Sequence, residues 1–326
     1  MPQSSHVSYI GRFATGSDGE KVFSWSNSTI VLGFTGTRLR VSFDTTELTY
    51  LNVSVDGNEP TVLALVQGKK YYTVASYLPA GKHTVTLVKR ATPGTVSFYG
   101  VDYSGGKSAS VPARSDRRIE VIGDSITAGY GIESLKPSEH YNVRQENATI
   151  TYGALAAKQL NAEATIIATS GDGIVQWCDG RRDELIPERY RRTISEDKNS
   201  VYDFKGGAPQ VVVINAGTND FACVNPRVNP SEYVSKYVEF MQFIHQKYPD
   251  AVIIATMGTM LYSAWDSIVE AVDTAKAAGI KNVYALRFDA ALASDGLGQD
   301  SHPSAATHQK MAKQLADEIS RLMNWK

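Results

Sequence analysis

Five short apolar runs alternate with helical stretches from about residue 119 onward, and this alternation constrains the fold more than any other feature. The apolar runs cover residues 119–122, 165–168, 211–215, 252–256 and 283–288. The helical stretches cover residues 152–160, 233–248, 268–278 and 305–323. Strands that are apolar throughout and separated by helices are typical of a parallel sheet covered on both faces. We therefore predict a three-layer α/β/α domain built on a parallel sheet.

The first hundred residues follow a period of two instead. Leu39, Val41 and Phe43 alternate with polar neighbours, and the same alternation returns in several later runs. Turn-forming pairs such as Asp56-Gly57 separate these runs. Short alternating runs divided by frequent turns predict an all-β sandwich.

A change of composition separates these two patterns. Residues 104–116 read SGGKSASVPARSD, a small, polar stretch interrupted by proline. Such a stretch is typical of a linker. We therefore expect a β-sandwich domain over residues 1–107 and an α/β domain over residues 108–326.

The composition argues against several classes of partner. The chain of 326 residues is 42% hydrophobic and 21% charged, with a net charge of −1, so nothing indicates a nucleic-acid partner. No apolar run approaches the roughly 18 residues that span a bilayer, and we expect no membrane partner. The opening MPQSSHVSYIGRF does not resemble a signal peptide. We expect a cytoplasmic protein if Met1 is the native start, and a secreted one if a leader was removed.

The cysteines and the histidines limit the other possibilities. Cys178 and Cys223 are too few for a disulfide framework, and both a single bridge and two thiols remain open. No cluster of histidines and acidic residues has the spacing of a metal site. We therefore expect no metal and no other cofactor, which disfavours a zinc-dependent deacetylase. The oligomeric state is left open by the sequence.

The residues just past the apolar runs are of unusual types. They are a serine, a glycine and an asparagine after the first three runs, and a histidine before the last helical stretch: Ser125, Gly171, Asn219 and His302. Ligands of open parallel sheets bind at the carboxyl ends of the strands. Each residue alone has an ordinary explanation as a helix cap, a turn or a surface side chain. Four of them at one edge are better explained by a shared site.

Their chemistry is that of acyl transfer. The Ser125 hydroxyl becomes a nucleophile when a nearby imidazole takes its proton. Attack on an ester places negative charge on the carbonyl oxygen, and each fixed donor aimed at that oxygen lowers the barrier by about 3 kcal/mol. The backbone N–H groups of Ser125 and Gly171 and the side-chain amide of Asn219 can supply three such donors.

The chain resembles the SGNH hydrolase superfamily in four blocks that follow one another in order: Gly123-Asp124-Ser125, Gly171, Gly217-Thr218-Asn219-Asp220 and His302-Pro303. It resembles carbohydrate esterase family two more closely, in the segments YIGRF, FTGTRLRVSF, AGKHTVTLVKR, YGALAA and INAGTNDF. This resemblance covers nearly the whole chain. It implies an N-terminal jelly-roll sandwich followed by an SGNH hydrolase domain.

The same resemblance implies an activity and a set of roles. Ser125 would be the nucleophile that carries the acyl group, and His302 the base. Ser125, Gly171 and Asn219 would form the oxyanion hole. The substrate would be an acetylated carbohydrate such as xylan or glucomannan, and the reaction the removal of its O-acetyl groups.

One position departs from the usual SGNH pattern. Gln299 occupies the place three residues before the histidine where most of these enzymes have the triad aspartate, and the aspartate is Asp300 instead. A shift by one residue in a loop changes the direction of the side chain. We therefore expect a dyad-like site in which Asp300 orients His302 only in part, or merely orders the loop.

Two tryptophans are candidates for sugar binding, and two functions other than a carbohydrate esterase remain open. Trp177 and Trp265 are candidates to stack on a sugar, with ordinary packing as the alternative. A carbohydrate-binding protein with a relic hydrolase domain is one alternative function. An arylesterase or lipase-like enzyme is the other. The intact set of four site residues favours the carbohydrate esterase.

Overall fold

The computed structural model describes residues 6–222 and 227–325, and the chain divides into two compact units. The first unit extends to Arg114 and includes Thr193–Ser200. The second unit consists of Ser115–Arg192 and of the chain from Val201 onward. Each unit has its own hydrophobic core.

The first unit contains eleven strands within its described residues. They are β1 (Val7–Ile10), β2 (Ala14–Thr15), β3 (Lys21–Phe23), β4 (Thr29–Gly36), β5 (Leu39–Thr45), β6 (Thr49–Val55), β7 (Thr61–Leu65), β8 (Lys70–Ala75), β9 (Gly81–Lys89), β10 (Val96–Asp102) and β11 (Lys107–Ser108). One antiparallel sheet has the order β1-β4-β9-β6-β7, with β11 paired to β4, and the other has the order β2-β3-β10-β5-β8.

The period of two explains how these sheets face each other. Leu39, Val41 and Phe43 on β5 are 0% exposed, since alternate residues of a strand point to the same face. They share one core with residues of the other sheet, among them Leu32 and Phe34. The predicted all-β sandwich is confirmed.

The segment expected to be a linker begins as part of the sandwich. Lys107 and Ser108 pair with β4, and the N–H of Ala109 donates to the carbonyl oxygen of Gly33. A Cβ on Gly33 would lie 2.3 Å from the carbonyl oxygen of Ala109. The first unit therefore continues past residue 107, because this polar stretch satisfies its backbone groups on a strand edge.

The second unit alternates strands and helices. Its strands are β12 (Arg118–Gly123), β13 (Glu163–Ala168), β14 (Val211–Asn215), β15 (Val252–Met257) and β16 (Val283–Arg287). Its helices are α1 (Ser125–Ala128), α2 (Tyr152–Gln159), α3 (Ile186–Arg189), α4 (Thr218–Ala222), α5 (Pro230–Lys247), α6 (Trp265–Ala277) and α7 (Ala305–Met323). Short 3₁₀ turns cover Val143–Gln145, Ala148–Ile150, Ala293–Asp295 and Gln299–Ser301.

All neighbouring strands of the second unit run parallel, in the order β13-β12-β14-β15-β16. Successive residues of β14, such as Val212 and Val213, are both 0% exposed, because helices cover both faces of the sheet. On one face α2 and α7 pack together, and α5 packs against α6. The predicted parallel α/β sheet is confirmed.

The strand order places the candidate site. β12 lies between β13 and β14, so the chain leaves β12 toward one side and later returns to the other. Such a switch point opens a crevice at the carboxyl ends of the strands. Ser125 begins α1 directly after β12.

Candidate active site

The nucleophile candidate lies on a tight strand-to-helix turn. Asp124 caps α1, its Oδ1 accepting a hydrogen bond from the N–H of Ile126 at 3.0 Å. Ser125 is the first residue of the helix and is 7% exposed. Gly123 has no room for a side chain, since its Cβ would lie 2.7 Å from the carbonyl oxygen of Asn215. The turn therefore holds the Ser125 hydroxyl at the end of β12.

His302 meets this hydroxyl across the sheet edge. Its Nε2 lies 2.8 Å from Ser125 Oγ, and its Nδ1 lies 3.1 Å from the carbonyl oxygen of Gln299. A carbonyl can only accept a hydrogen bond, so Nδ1 carries the proton and Nε2 is free to accept one from the hydroxyl. Burial lowers the pKa of His302. The ring is therefore a neutral base facing the serine.

Asp300 bonds to other groups. Its Oδ2 accepts a hydrogen bond from the Tyr130 hydroxyl at 2.5 Å, and its Oδ1 lies 3.0 Å from His140 Nδ1. Asp300 and Ser301 both have left-handed backbone angles, with φ of 46° and 61°. These angles direct the carboxylate away from His302 Nδ1, where the Gln299 carbonyl stands. The Tyr130 hydroxyl, followed by His140, keeps the pKa of Asp300 below its usual value.

The two further oxyanion-hole candidates follow β13 and β14. Gly171 has a φ of +88°, and a Cβ there would lie 2.8 Å from a ring carbon of Trp177, so both conformation and space require glycine. The Asn219 amide nitrogen donates to the carbonyl oxygen of Asp172 at 2.8 Å and lies 3.4 Å from Asp124 Oδ2. Both partners are hydrogen-bond acceptors, so the atom of the Asn219 amide that faces them is the nitrogen and not the oxygen.

An ion pair holds the residue that orients Asn219. Arg189 Nε lies 3.1 Å from Asp172 Oδ2, and both side chains are less than 10% exposed, at 7% and 1%. Arg189 also donates to the carbonyl oxygen of Glu184. A buried pair with additional hydrogen bonds restricts the backbone of Asp172. Its carbonyl is thereby kept in place for the Asn219 amide.

Two buried carboxylates stabilise the loops around the site. The Asp220 carboxylate accepts hydrogen bonds from three successive N–H groups, those of Ile174, Val175 and Gln176. It therefore braces the loop after β13 from helix α4, the element that also carries Asn219. Burial raises the pKa of Asp220, and burial together with the Asp220 charge raises that of Asp124 to about 7.

The two candidate sugar platforms lie beside these loops. Trp177 is half-buried, its ring packs on Gly171 and its Nε1 donates to the carbonyl oxygen of Glu184. The Arg181 guanidinium lies 3.9 Å from the centroid of this ring. Trp265 begins α6 and is also half-buried. The residue before it, Ala264, packs against Gly217: a Cβ added to Gly217 would lie 2.9 Å from the Ala264 Cβ.

The described residues bear on the cysteines, on metal sites and on membrane-spanning helices as follows. Cys178 is exposed, whereas Cys223 lies outside the described residues, so the question of a bridge stays as the sequence left it. Among residues 6–222 and 227–325, no group of three histidine, cysteine or acidic side chains is arranged to hold a metal ion. Over the same ranges, no helix has both the length and the apolar character needed to cross a bilayer.

Tyr130 is a residue of the site that was not predicted from the sequence. Its ring stacks on the His302 ring with centroids 4.2 Å apart and planes inclined by 23°. It stands five residues after the nucleophile, in the stretch GDSITAGYG that begins at Gly123. An aromatic residue directly after a catalytic turn was the available signal, but its partner Asp300 lies 170 positions away.

Comparison with known proteins places the chain in a family. Residues 9–112 match the model of the carbohydrate esterase 2 N-terminal domain, and residues 121–310 match the GDSL-like lipase/acylhydrolase family. A solved family two carbohydrate esterase from Clostridium thermocellum, in complex with cellohexaose, is 34% identical with a TM-score of 0.94. That match covers 98% of this chain and 100% of the other. The chain belongs to family two of the carbohydrate esterases.

Two curated relatives of this chain span different lengths. A cellulase/esterase, CelE, of Acetivibrio thermocellus is 34% identical over 326 residues, which is 98% of this chain but 40% of that protein. An acetylxylan esterase / glucomannan deacetylase of Cellvibrio japonicus is 30% identical over 315 residues, covering 92% of this chain and 85% of that protein. The predicted resemblance to SGNH hydrolases and to family two carbohydrate esterases is confirmed.

Proposed function

We propose that this esterase removes O-acetyl groups from carbohydrate, with Ser125 as the nucleophile and His302 as the general base. The observation that carries the proposal is the 2.8 Å contact between His302 Nε2 and Ser125 Oγ, with Nδ1 held by the Gln299 carbonyl. This arrangement presents the imidazole in the one tautomer that can take the serine proton.

The reaction follows from these positions. Ser125 Oγ attacks the acetyl carbonyl carbon while its proton passes to His302 Nε2. The oxyanion receives hydrogen bonds from the N–H groups of Ser125 and Gly171 and from the Asn219 amide. The C–O bond to the sugar then breaks, and the sugar oxygen takes the proton from His302. Water, deprotonated by His302, attacks the acetyl carbon; the bond to Ser125 Oγ breaks, Oγ takes the proton back from His302, and acetate is released.

The proposed substrate class rests on the relatives and on the tryptophans. The two Cellvibrio japonicus relatives are named acetylxylan esterase / glucomannan deacetylase. Trp177 and Trp265 flank the loops that carry Gly171 and Gly217 and are the proposed contacts to a sugar ring. Asp300 is proposed as an indirect contributor, since its carboxylate bonds to Tyr130 and His140.

Acetate release tests the proposal. Wild type, Ser125→Ala and the control Ser235→Ala, a change on the exposed face of α5, are compared on acetylated xylan, acetylated glucomannan and an aryl acetate. We expect Ser125→Ala to lose about four or more orders of magnitude in turnover and the control to lose none. Turnover by Ser125→Ala near the wild-type value would overturn the assignment. A wild type active on the aryl acetate alone would indicate the arylesterase alternative.

The complex of the relative with cellohexaose favours a second candidate, binding of an unacetylated glucan at the same cleft. Calorimetric titration of folded Ser125→Ala with cellohexaose tests it. Binding that also inhibits wild-type turnover competitively would support this function. Absence of binding at millimolar cellohexaose would remove it and leave the esterase proposal intact.

A further inference from the structure

His302 lacks the carboxylate that a Ser-His-Asp triad would place at its second nitrogen. The Gln299 carbonyl fills that position. A neutral carbonyl fixes the tautomer, but it gives less stabilisation to the imidazolium that forms when the serine proton arrives. The carboxylate next in sequence, Asp300, has both oxygens within hydrogen-bond distance of other side chains, Tyr130 and His140.

Tyr130 connects that carboxylate to the catalytic ring. Its hydroxyl donates to Asp300 Oδ2 at 2.5 Å, and its ring stacks on the His302 ring with the two centroids 4.2 Å apart. Its backbone N–H donates to the carbonyl oxygen of Ser125 at 3.0 Å. Tyr130 is therefore anchored to the nucleophile at one end and to Asp300 at the other, with His302 stacked on the ring between them.

This arrangement acts on the base in two ways. A stacked ring restricts rotation of the imidazole and keeps Nε2 on the serine hydroxyl. The face of an aromatic ring also attracts a cation, so it favours the imidazolium as it forms. Burial and the Asp300 charge raise the pKa of Tyr130, so its hydroxyl stays protonated and able to donate.

We propose that Tyr130 is a positioning residue for His302, and that Asp300 supports the reaction through Tyr130 rather than through a bond to the imidazole. Tyr130 can have this role only if His302 is the base of the esterase proposed above. That dependence is tested separately, because retained activity in Ser125→Ala would remove the esterase proposal itself.

A double-mutant cycle tests the connection. Turnover and KM on one aryl acetate are measured for wild type, Tyr130→Phe, Asp300→Ala and the double variant. We expect each single change to reduce kcat about tenfold with KM within about twofold, and the double variant to lose no more than either single one. A double variant that loses about a hundredfold would show two independent effects and overturn the proposal. So would a loss in Asp300→Ala that Tyr130→Phe does not share.

A conservative change and a shortened side chain separate position from fold. Asp300→Asn tolerates the left-handed backbone and retains an oxygen that accepts from Tyr130, so we expect kcat within about threefold of wild type. Tyr130→Leu removes the ring, and we expect a loss of about a hundredfold in kcat with KM retained. Thermal melting verifies that each variant is folded. A Tyr130→Leu enzyme no slower than Tyr130→Phe would show that the stacked ring contributes nothing.

The neighbouring tyrosine supplies a matched control. The Tyr141 hydroxyl donates to Glu146 Oε2 at 2.5 Å, as Tyr130 does to Asp300. Its ring contacts the Tyr130 ring at 4.8 Å. Tyr141→Phe removes an equivalent hydroxyl–carboxylate bond, and we expect wild-type turnover. A tenfold loss in this variant would indicate general loosening of the loop and would overturn the role given to Tyr130.

Discussion

Two histidines, one in each unit, have both ring nitrogens engaged, yet their charges differ. In the sandwich, His83 Nδ1 lies 2.7 Å from Asp56 Oδ2, and Nε2 lies 2.8 Å from the carbonyl oxygen of Pro79. Both partners only accept hydrogen bonds, so the doubly protonated ring alone satisfies both. Asp56, and after it the Pro79 carbonyl, raise the pKa of His83. His83 is therefore held as a cation.

His302 in the second unit faces one acceptor and one hydroxyl. Its Nδ1 meets the Gln299 carbonyl, whereas Nε2 meets Ser125 Oγ, which has a proton to donate. The neutral ring satisfies both partners, and burial lowers its pKa. The comparison shows that a nearby carboxylate does not make a histidine catalytic. The deciding feature is a nitrogen lone pair directed at a group that can lose a proton.

The largest expected effect distinguishes the two rings by function. His302→Ala should reduce esterase turnover by about four to six orders of magnitude, as Ser125→Ala does, because both remove the same proton transfer. His83→Ala should keep kcat per folded molecule and lower the melting temperature instead. Turnover and thermal melting of both variants check this. A His302→Ala enzyme within a hundredfold of wild type would contradict the assignment of the base.

The aspartates give the next largest effect. Asp300→Ala should lose about tenfold in turnover, far less than the roughly 10⁴ expected when a triad carboxylate is lost. Asp56→Ala should leave turnover unchanged and lower the melting temperature, because it removes the His83 partner. Both variants are assayed on one acetyl ester after folding is verified. A loss at Asp300 as large as that at His302 would make the aspartate a full triad member.

The pH dependence of catalysis gives a smaller effect. Because burial lowers the pKa of His302 below its ordinary 6.5, the neutral base persists below that pH. We expect the acid limb of kcat/KM to have its midpoint below pH 6.5. The Asp300 charge raises the pKa of His302, so Asp300→Asn should move this midpoint lower still. His308, with a pKa of about 3, does not titrate in this range. Asp124, whose pKa is about 7, lies 3.4 Å from the Asn219 amide nitrogen, so the profile is also measured in Asp124→Asn. A midpoint at pH 7 or above that persists in this variant would contradict the neutral-base description.

The smallest expected effect is on the stability of the sandwich. The raised pKa of His83 stabilises the fold below the unfolded value of about 6.5, and this contribution disappears as pH rises through the folded value. The lowered pKa of Asp56, caused first by His83 and then by the Thr84 N–H, stabilises the fold above about pH 4. The pair should therefore contribute most between about pH 4 and 6.5.

Melting curves of wild type and His83→Ala measure this contribution. We expect the two to differ by about 1 kcal/mol at pH 5.5, and by less as the pH rises through the raised pKa that His83 has in the folded protein. A difference that grows from pH 5.5 to pH 9 would show that His83 is not held as a cation.

The order and type of the elements were determined by the sequence itself. The predicted strand at residues 211–215 and the predicted helix at residues 305–323 have the bounds that the structure gives to β14 and α7. Local periodicity and capping residues specify such elements. Helices α5 and α6 each begin three residues before the predicted start, at Pro230 and Trp265, because two of the three added residues in each are polar or charged and hide the apolar period.

The candidate site could also be predicted from the sequence, for a topological reason. The carboxyl ends of parallel strands meet at one edge of a sheet. The residues after β12 and β14 and before α7 could therefore be expected together without any knowledge of side-chain geometry. The contact between Ser125 and His302, separated by 177 positions, follows from that rule.

Only the tertiary structure decided which groups hold the His302 ring in place. The choice of the Gln299 carbonyl over the Asp300 carboxylate depends on left-handed backbone angles at Asp300 and Ser301. The stack of Tyr130 on His302 depends on a hydrogen bond across 170 positions. Loop dihedral angles and long-range packing have no sequence period. Helix and strand positions could therefore be predicted, whereas the partners that give His302 its tautomer and orientation could not.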